Sequence, residues 1–204
     1  MPRTKLRTPD LREELLQRAV AVLEHEGPVA LRARRVASAA GTSTGALYEL
    51  FGDKTGLVRA IFYEGFRMLA ERLEEVAITA DARSNVVALL ETSRAFAVEH
   101  PMLFEVMYAR PFGEFDPSPD DLRIAGRMYD LVVRQVKRWL SEAAAAVDPV
   151  DAAHALVALN RGLIATQLAG LLGSSPRNRD RRWRVAIDAQ MGGLAVAEDR
   201  SKRR

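Results

Sequence analysis

The stretch GTSTGALYELFGDK, residues 41–54, begins with small side chains and ends with a lysine. Gly41 is the residue type that ends a helix in the left-handed conformation, and the hydroxyl of Ser43 can cap a helix that follows. Leu47 and Phe51 are four residues apart, so they share one face of a short helix. The stretch therefore predicts the turn and second helix of a helix-turn-helix.

The apolar residues of the remaining chain recur at intervals of three and four, which predicts an all-α fold. Asp53 is expected to cap a long fourth helix. We divide the chain into an N-terminal three-helix domain, residues 1–53, and a C-terminal helical domain, residues 54–204. An irregular loop is expected at 111–120. The predicted helices cover about residues 9–26, 31–40, 44–50, 54–78, 84–99, 101–110, 121–147, 150–172 and 179–197.

The composition limits the chemistry of the chain. Its 204 residues are 48% hydrophobic, which suffices for a real core, and it has no cysteine, which excludes disulfides and thiolate metal sites. Three dispersed histidines, His25, His100 and His154, give no metal signature, and no cofactor is expected. No apolar run is long enough to span a membrane, so we expect a soluble cytoplasmic protein.

Positive charge is concentrated at the start of the chain. Residues 1–59 hold 10 Lys and Arg against 7 Asp and Glu, whereas residues 60–204 hold 20 against 20. This asymmetry favours a polyanionic partner for the N-terminal part, although a chance imbalance explains it as well. Arg3, Lys5 and Arg7 fit a minor-groove arm or a disordered start equally well.

The residues of the short helix match what the DNA major groove requires. A helix that reads base edges brings its backbone close to them, and Thr44, Gly45 and Ala46 keep its first turn thin. The Tyr48 phenol is expected to face outward, toward a phosphate or a thymine methyl group. The Lys54 ammonium and the free N–H groups of its helix can hold a phosphate together.

This segment resembles the DNA-binding domain of the tetracycline-repressor (TetR) family of transcriptional regulators over about residues 7–62. Thr42, Leu50 and Arg32 depart from the residues usual in that family. The residues that carry the resemblance, at the family's spacing, are Val36, Ala37, Ala40, Gly41, Ser43, Gly45, Leu47, Tyr48, Phe51, Lys54 and Leu57.

The resemblance implies that Arg34 and Thr44 contact base edges and that Lys54 binds phosphate. Alternatives stay open for three residues: Arg34 as a solvated surface charge, Tyr48 as a packing residue, and Glu49 either on a cytosine amino group or at the groove edge. The complete expected DNA-binding set is Arg34, Thr42, Ser43, Thr44, Gly45, Tyr48, Glu49 and Lys54.

The C-terminal helices of the family form a ligand chamber and a dimer interface. Residues 155–173, ALVALNRGLIATQLAGLLG, are apolar nearly all round, and such a helix must be covered on every side. Two helices from each of two subunits would provide that cover as a four-helix interface; one large monomeric core is the alternative. The expected interface residues are Leu156, Leu163, Leu168, Leu171, Trp183, Ile187, Met191 and Leu194.

Asn160, Arg161 and Gln167 are polar residues in this apolar helix, and buried polar groups need partners. A ligand is one partner; pairing of Arg161 with Asp130 or Glu105 is another. The aromatic and methionine side chains proposed as lining also fit an ordinary core. The expected ligand-binding set is Phe62, Phe66, Phe96, Phe104, Met107, Tyr108, Met128, Val132, Asn160, Arg161, Ile164 and Gln167.

Residues 97–107, AVEHPMLFEVM, and the step at 160–162 resemble the TetR subgroup whose C-terminal domain carries a Trp-His-Gly signature. The resemblance implies a homodimeric repressor that a small molecule releases from a palindromic operator. A constitutive DNA-binding regulator or activator without a ligand is the alternative. An enzyme is disfavoured because the sequence has no glycine-rich phosphate loop, no His-Glu-x-x-His and no Gly-x-Ser-x-Gly.

Overall fold

The computed structural model describes residues 9–126 and 129–197, and it confirms the all-α prediction for those residues. A short 3-10 helix, Pro28–Ala30, follows the first α-helix. The α-helices are α1 Pro9–Glu26, α2 Ala33–Ala39, α3 Thr44–Phe51, α4 Lys54–Glu74, α5 Ala82–Glu99, α6 Pro101–Tyr108, α7 Pro119–Gly126, α8 Tyr129–Glu142, α9 Pro149–Leu168 and α10 Pro176–Ala195.

Side-chain caps explain where several helices begin. Asp148 accepts hydrogen bonds from the N–H groups of Val150 and Asp151 at 2.8 and 3.1 Å, so α9 begins at Pro149. Ser175 caps α10 in the same way, which moves its start from the predicted residue 179 to Pro176. Both caps precede a proline, whose missing N–H costs nothing in the first turn.

Other predicted boundaries were wrong. The second helix begins at Ala33 rather than residue 31, and its N-cap residue, Arg32, makes no side-chain cap. Helix α4 ends at Glu74 rather than 78, and α9 ends at Leu168 rather than 172. Gly170 follows α9 with φ of 76°, a conformation that stops a helix and that glycine adopts without strain.

The described residues form two compact units. The first unit comprises residues 9–68 and 100–125, and the second comprises 69–99, 126 and 129–197. Helix α6 and the loop after it thus group with the N-terminal helices. The expected domain boundary between residues 53 and 54 falls inside the first unit and stays a prediction.

The core of the first unit fixes the helix-turn-helix. Helix α1 packs against α2, α3 and α6, and its Leu15 and Leu23 are fully buried together with Val36 and Leu47. The Glu24 carboxylate accepts hydrogen bonds from the first free N–H groups of α6, at 2.8 Å from Leu103. Since a carboxylate at a helix N-terminus is favourable, this contact holds α6 on α1.

The second unit is a bundle of α5, α8, α9 and α10 around a buried amide. Asn160 Nδ2 donates to the carbonyl of Leu90 at 3.1 Å, and the indole N–H of Trp183 donates to Asn160 Oδ1 at 2.8 Å. Gln167 Oε1 accepts from Arg94 Nε at 2.8 Å. Asn160 and Gln167, which were expected to need partners in α9, therefore find them within this unit.

Candidate nucleic-acid interface

The turn and cap of the helix-turn-helix form as the sequence predicts. Gly41 adopts φ of 63°, and Ser43 Oγ accepts a hydrogen bond from the N–H of Ala46 at 3.1 Å. Leu47 and Phe51 are buried on the inner face of α3. Because the cap satisfies a free N–H of the first turn and the two apolar side chains anchor the helix, α3 has a fixed orientation in the first unit.

The outer face of α3 is small at its start and aromatic further along. Thr44, Gly45, Tyr48 and Glu49 are exposed, whereas Thr42 before them is half-buried. The Tyr48 side chain is 46% exposed, so the ring lies on the surface and not in the core. The structure therefore brings together on one face four residues of the expected DNA-binding set.

Arginines of α2 lie on the same unit. Arg34 is exposed, whereas its neighbour Arg35 is bound to Glu26, with 2.5 Å between Arg35 Nη2 and Glu26 Oε1. The hydrogen bond and charge of Arg35 lower the pKa of Glu26. Both arginines are therefore at the surface, and the ion pair with Glu26 is what distinguishes Arg35 from Arg34.

The start of α4 follows α3 through a tight turn. Gly52 has φ of 81°, and Asp53 Oδ1 caps α4 by accepting from the N–H of Gly56 at 2.7 Å, as expected. Lys54 is the first residue of α4. Its ammonium lies 2.5 Å from Glu114 Oε1 and 5.3 Å from the centre of the Phe112 ring. The lysine expected to bind phosphate is thus presented at a helix N-terminus and held there by an aromatic ring and a carboxylate.

Gly56 is a residue that the sequence analysis missed. A Cβ atom added at Gly56 would lie 1.8 Å from the carbonyl oxygen of Phe51, a backbone atom at the end of α3. Only glycine allows α3 and the first turn of α4 to approach this closely. The signal in the sequence, a glycine in the first turn of a helix, is common to many helices and does not by itself reveal the contact.

The loop between α6 and α7 is also more ordered than the sequence suggested. Phe112 and Phe115 are buried, and the Phe115 ring packs edge-on against Phe62 at 5.5 Å between centroids. The sequence signal for this packing, which the sequence analysis did not use, is the presence of two phenylalanines within the predicted irregular loop. The loop is therefore part of the first unit's core, with residues 113 and 114 turned outward between the two rings.

Asp121 anchors the end of this loop. Its buried carboxylate accepts hydrogen bonds from the Tyr63 hydroxyl and, at 2.8 and 2.7 Å, from the N–H and hydroxyl of Ser118. Arg59 Nε lies 3.5 Å from Asp121 Oδ1. Burial by itself raises the pKa of Asp121, but the hydrogen bonds and Arg59 outweigh it and lower that pKa, while the bond to Asp121 raises the pKa of Tyr63. The carboxylate is therefore charged and fully partnered.

A groove of about 450 Å³ lies beside α3 in the first unit. Tyr48, Lys54 and Arg32 line it together with apolar residues of the 3-10 segment and α4. Tyr48, expected to face a phosphate or a thymine methyl group, and Lys54, expected to bind phosphate, thus line one shared groove. Arg32, a departure from the family pattern, adds a third polar side chain there.

The expected ligand-binding residues divide between the two units, and Met128 lies outside the described residues. In the first unit Phe62, Phe66, Phe104 and Tyr108 pack ring against ring, with Phe66 and Tyr108 centroids 5.4 Å apart, and Met107 is buried. In the second, Phe96, Val132, Asn160 and Ile164 are buried, and Arg161 is half-buried. Their role in ligand binding stays a prediction.

Gln167 lines a groove of about 540 Å³ in the second unit, formed by side chains of α5, α9 and α10. The groove contains two ion pairs, Arg94 with Asp180 at 2.8 Å and Arg184 with Glu91 at 2.6 Å. The Arg94 guanidinium lies over the Trp183 ring, with 5.3 Å between Arg94 Cζ and the ring centroid. Four of the five charged residues that line the groove therefore pair with one another, and the fifth, Glu99, lies 2.6 Å from Arg72.

The expected dimer residues require a correction. Four of them are enclosed within the second unit, where each is at most 1% exposed: Leu156, Trp183, Ile187 and Met191. These four residues form the side of α9 and α10 that packs within the bundle. Leu163 and Leu194 are half-buried, while Leu168 and Leu171 are exposed, Leu171 by 76%.

Taken together, α2 and the Ser43-capped α3, with the thin exposed first turn of α3, define a helix-turn-helix DNA-binding fold. Residues 15–61 match the family described as bacterial regulatory proteins of the tetR family, and residues 86–190 match the tetracyclin repressor-like C-terminal domain. The chain belongs to the TetR family of transcriptional regulators. No curated protein sequence matches it significantly.

Solved structures agree with this fold. A protein of unknown function from Rhodococcus sp. RHA1 is 27% identical, with a TM-score of 0.78 over 94% of this chain and 99% of the other. The TetR family regulator PfmR from Thermus thermophilus is 20% identical, with a TM-score of 0.63 over 90% and 98%. BioQ, solved with its double-stranded DNA operator, is 18% identical, with a TM-score of 0.64 over 91% and 98%.

The described residues contain neither a candidate metal site nor a candidate membrane span. No three His, Asp or Glu side chains come close enough to one another there to hold a metal ion. None of the described helices is both long and apolar enough to span a membrane.

We predict that Gly56→Ala destabilises the first unit, because the new methyl group meets the backbone of Phe51 and forces α3 and α4 apart. The expected loss is about 1–3 kcal/mol, the usual cost of overpacking. Urea unfolding followed by circular dichroism measures it. Gly113→Ala, which places a methyl group in open space, is the matched control; equal stability of the two variants would contradict the close contact.

Proposed function

We propose that this chain is a homodimeric transcriptional repressor that inserts α3 into the major groove of a palindromic operator and is released by a small molecule. The observation that carries the proposal is the construction of α3: small exposed residues in its first turn, buried anchors behind them, and Lys54 directly after it. The relative BioQ was solved on its operator duplex, which supports the same use of this fold.

The proposed contacts follow from exposure and chemistry. Thr44 and Gly45 approach base edges. Arg34 reads a base from α2, because a guanidinium group can donate two hydrogen bonds to one guanine. Tyr48 and Lys54 bind the backbone along their shared groove, where an ammonium at a helix N-terminus favours phosphate. Ser43 keeps its role as cap, so its hydroxyl serves DNA binding by orienting α3.

We place the dimer interface on the outward side of α9 and α10 and the residues beside it, which keeps Leu168 and Leu171 of the expected set and leaves out the four residues enclosed in the core. Exposed apolar side chains there include Leu168, Leu171 and Val185, and Gly192 and Gly193 are exposed on α10, where small residues allow helices to approach closely. A partner copy would bury these groups, since monomers rarely leave large apolar patches in water. A two-fold interface presents two recognition helices to DNA.

Ligand response would operate through the spacing of those helices. Successive major grooves on one side of a duplex lie roughly 34–36 Å apart. A small molecule that binds more tightly to a dimer with a different helix spacing lowers operator affinity. The decrease is set by the ratio of its affinities for the two dimer conformations. The aromatic side chains of each unit, taken separately, remain candidates for ligand contact, and membership of the Trp-His-Gly subgroup stays a prediction. A constitutive regulator differs in one respect: no small molecule would release it from DNA.

Lys54→Ala tests the phosphate contact. We expect weaker binding to specific and nonspecific duplexes alike, and a plot of log affinity against log salt that is flatter by about 0.9 for each lysine lost from a phosphate. Fluorescence anisotropy with labelled duplexes at several salt concentrations measures both. Arg123→Ala, which removes the same charge from exposed α7, is the control; identical salt slopes for the two variants would exclude the phosphate role of Lys54.

Gly45→Ala tests the close approach of α3 to DNA. The added methyl group meets nothing nearer than Ser43 Oγ at 3.7 Å, so the fold accommodates it, and alanine favours a helix by up to about 1 kcal/mol over glycine. We expect unchanged or increased stability together with a loss of operator affinity of about 1–3 kcal/mol, the size of a disrupted base-pair contact. Unfolding and binding measured on the same preparation decide the matter, and wild-type affinity would show that this surface does not approach bases.

A further inference from the structure

The lysine that the proposed function assigns to phosphate already has an anionic partner in the first unit. Glu114 Oε1 lies 2.5 Å from Lys54 Nζ. Both side chains remain partly exposed, Lys54 by 46% and Glu114 by 41%. A phosphate that approaches Lys54 therefore meets an ammonium already in contact with a carboxylate.

We propose that Glu114 is an internal competitor for the DNA phosphate, which lowers the affinity of the protein for DNA by holding the Lys54 ammonium in the free state. The proposal rests on the proposed function, because it requires Lys54 to bind phosphate. It names an affinity-setting residue outside the helix-turn-helix, in the loop between α6 and α7.

The packing of the loop places Glu114 against Lys54. Phe112 and Phe115 are buried on either side of the turn, and the N–H of Phe115 donates to the carbonyl of Phe112 at 3.1 Å, which closes the turn. Residues 113 and 114 are therefore forced outward. The Phe112 ring lies 5.3 Å from the same ammonium, so the loop supplies an aromatic face and a carboxylate to one cation.

The end of the loop is also fixed. Ser118 and Tyr63 both donate to the buried carboxylate of Asp121, which ties the loop to the start of α7 and to α4. The loop is thus fixed on both sides of Glu114, which keeps this residue beside Lys54. The hydrogen bond from Lys54 also lowers the pKa of Glu114, so the carboxylate carries its charge at neutral pH.

The partial exposure of the pair makes it a competitor rather than a block. Ion pairs in contact with solvent are weak, because water and salt screen them, so a phosphate can displace the carboxylate. Displacement leaves the Glu114 charge close to the DNA backbone, which opposes binding further. A pair of this strength corresponds to a change in affinity of up to about fivefold per subunit.

The test measures binding of the full-length protein to a fluorescein-labelled, mixed-sequence DNA duplex at low ionic strength, where phosphate contacts dominate. We expect Glu114→Gln to bind two- to fivefold more tightly per subunit than wild type. Asp116→Asn is the matched control: it removes the same charge from the same loop, but its residue pairs with Arg110 and is 81% exposed. We expect that variant to bind within twofold of wild type.

A second measurement tests whether the effect of Glu114→Gln on DNA affinity depends on Lys54. In a Lys54→Gln background, Glu114→Gln is expected to lose most of its gain, because the cation for which it competes is absent. A gain for Glu114→Gln no larger than for Asp116→Asn, or an equal gain with and without Lys54, overturns the inference while leaving the proposed function intact. A wild-type protein that fails to bind duplex DNA overturns both. A Lys54→Gln variant that binds as well as wild type overturns the inference together with the phosphate contact of Lys54 on which it rests.

Discussion

The structure depends on one constraint, that α3 must be thin on the side facing outward and firmly anchored on the side facing inward. Gly45 and Thr44 leave the first turn narrow, while Leu47 and Phe51 are buried against the rest of the first unit. A helix this short has little stability of its own, so packing and the Ser43 cap must hold it. Its small outer face is available for contact only because the inner face is fixed.

The same constraint extends to the start of α4. Asp53 caps that helix, and Gly56 lets it approach the end of α3 more closely than any other residue would allow. Lys54 therefore has a defined position relative to α3. The loop after α6 then acts on this position from a distant part of the sequence, through Phe112 and Glu114. The proposed recognition helix, the lysine proposed to bind phosphate and the carboxylate proposed to compete for it all lie within the first unit.

The sequence predicted the features whose causes are local. The left-handed Gly41, the Ser43 cap and the Asp53 cap depend on neighbours within three residues, and all three formed as expected. The partner of Lys54 did not follow from the sequence, because Glu114 is brought to it by tertiary packing. For the same reason, periodicity identified α9 and α10 as apolar helices but did not reveal which side packs internally. Trp183, which we expected at the dimer interface, is held in the core by its bond to Asn160.

The central claim, that two copies of α3 read successive major grooves, is tested most directly by selecting bound sequences from a random duplex pool with purified protein. The account predicts enrichment of a palindrome whose half-sites are centred roughly 10 base pairs, or a multiple of that, apart. Recovery of a single asymmetric site, or of no preferred sequence at low ionic strength, would contradict it.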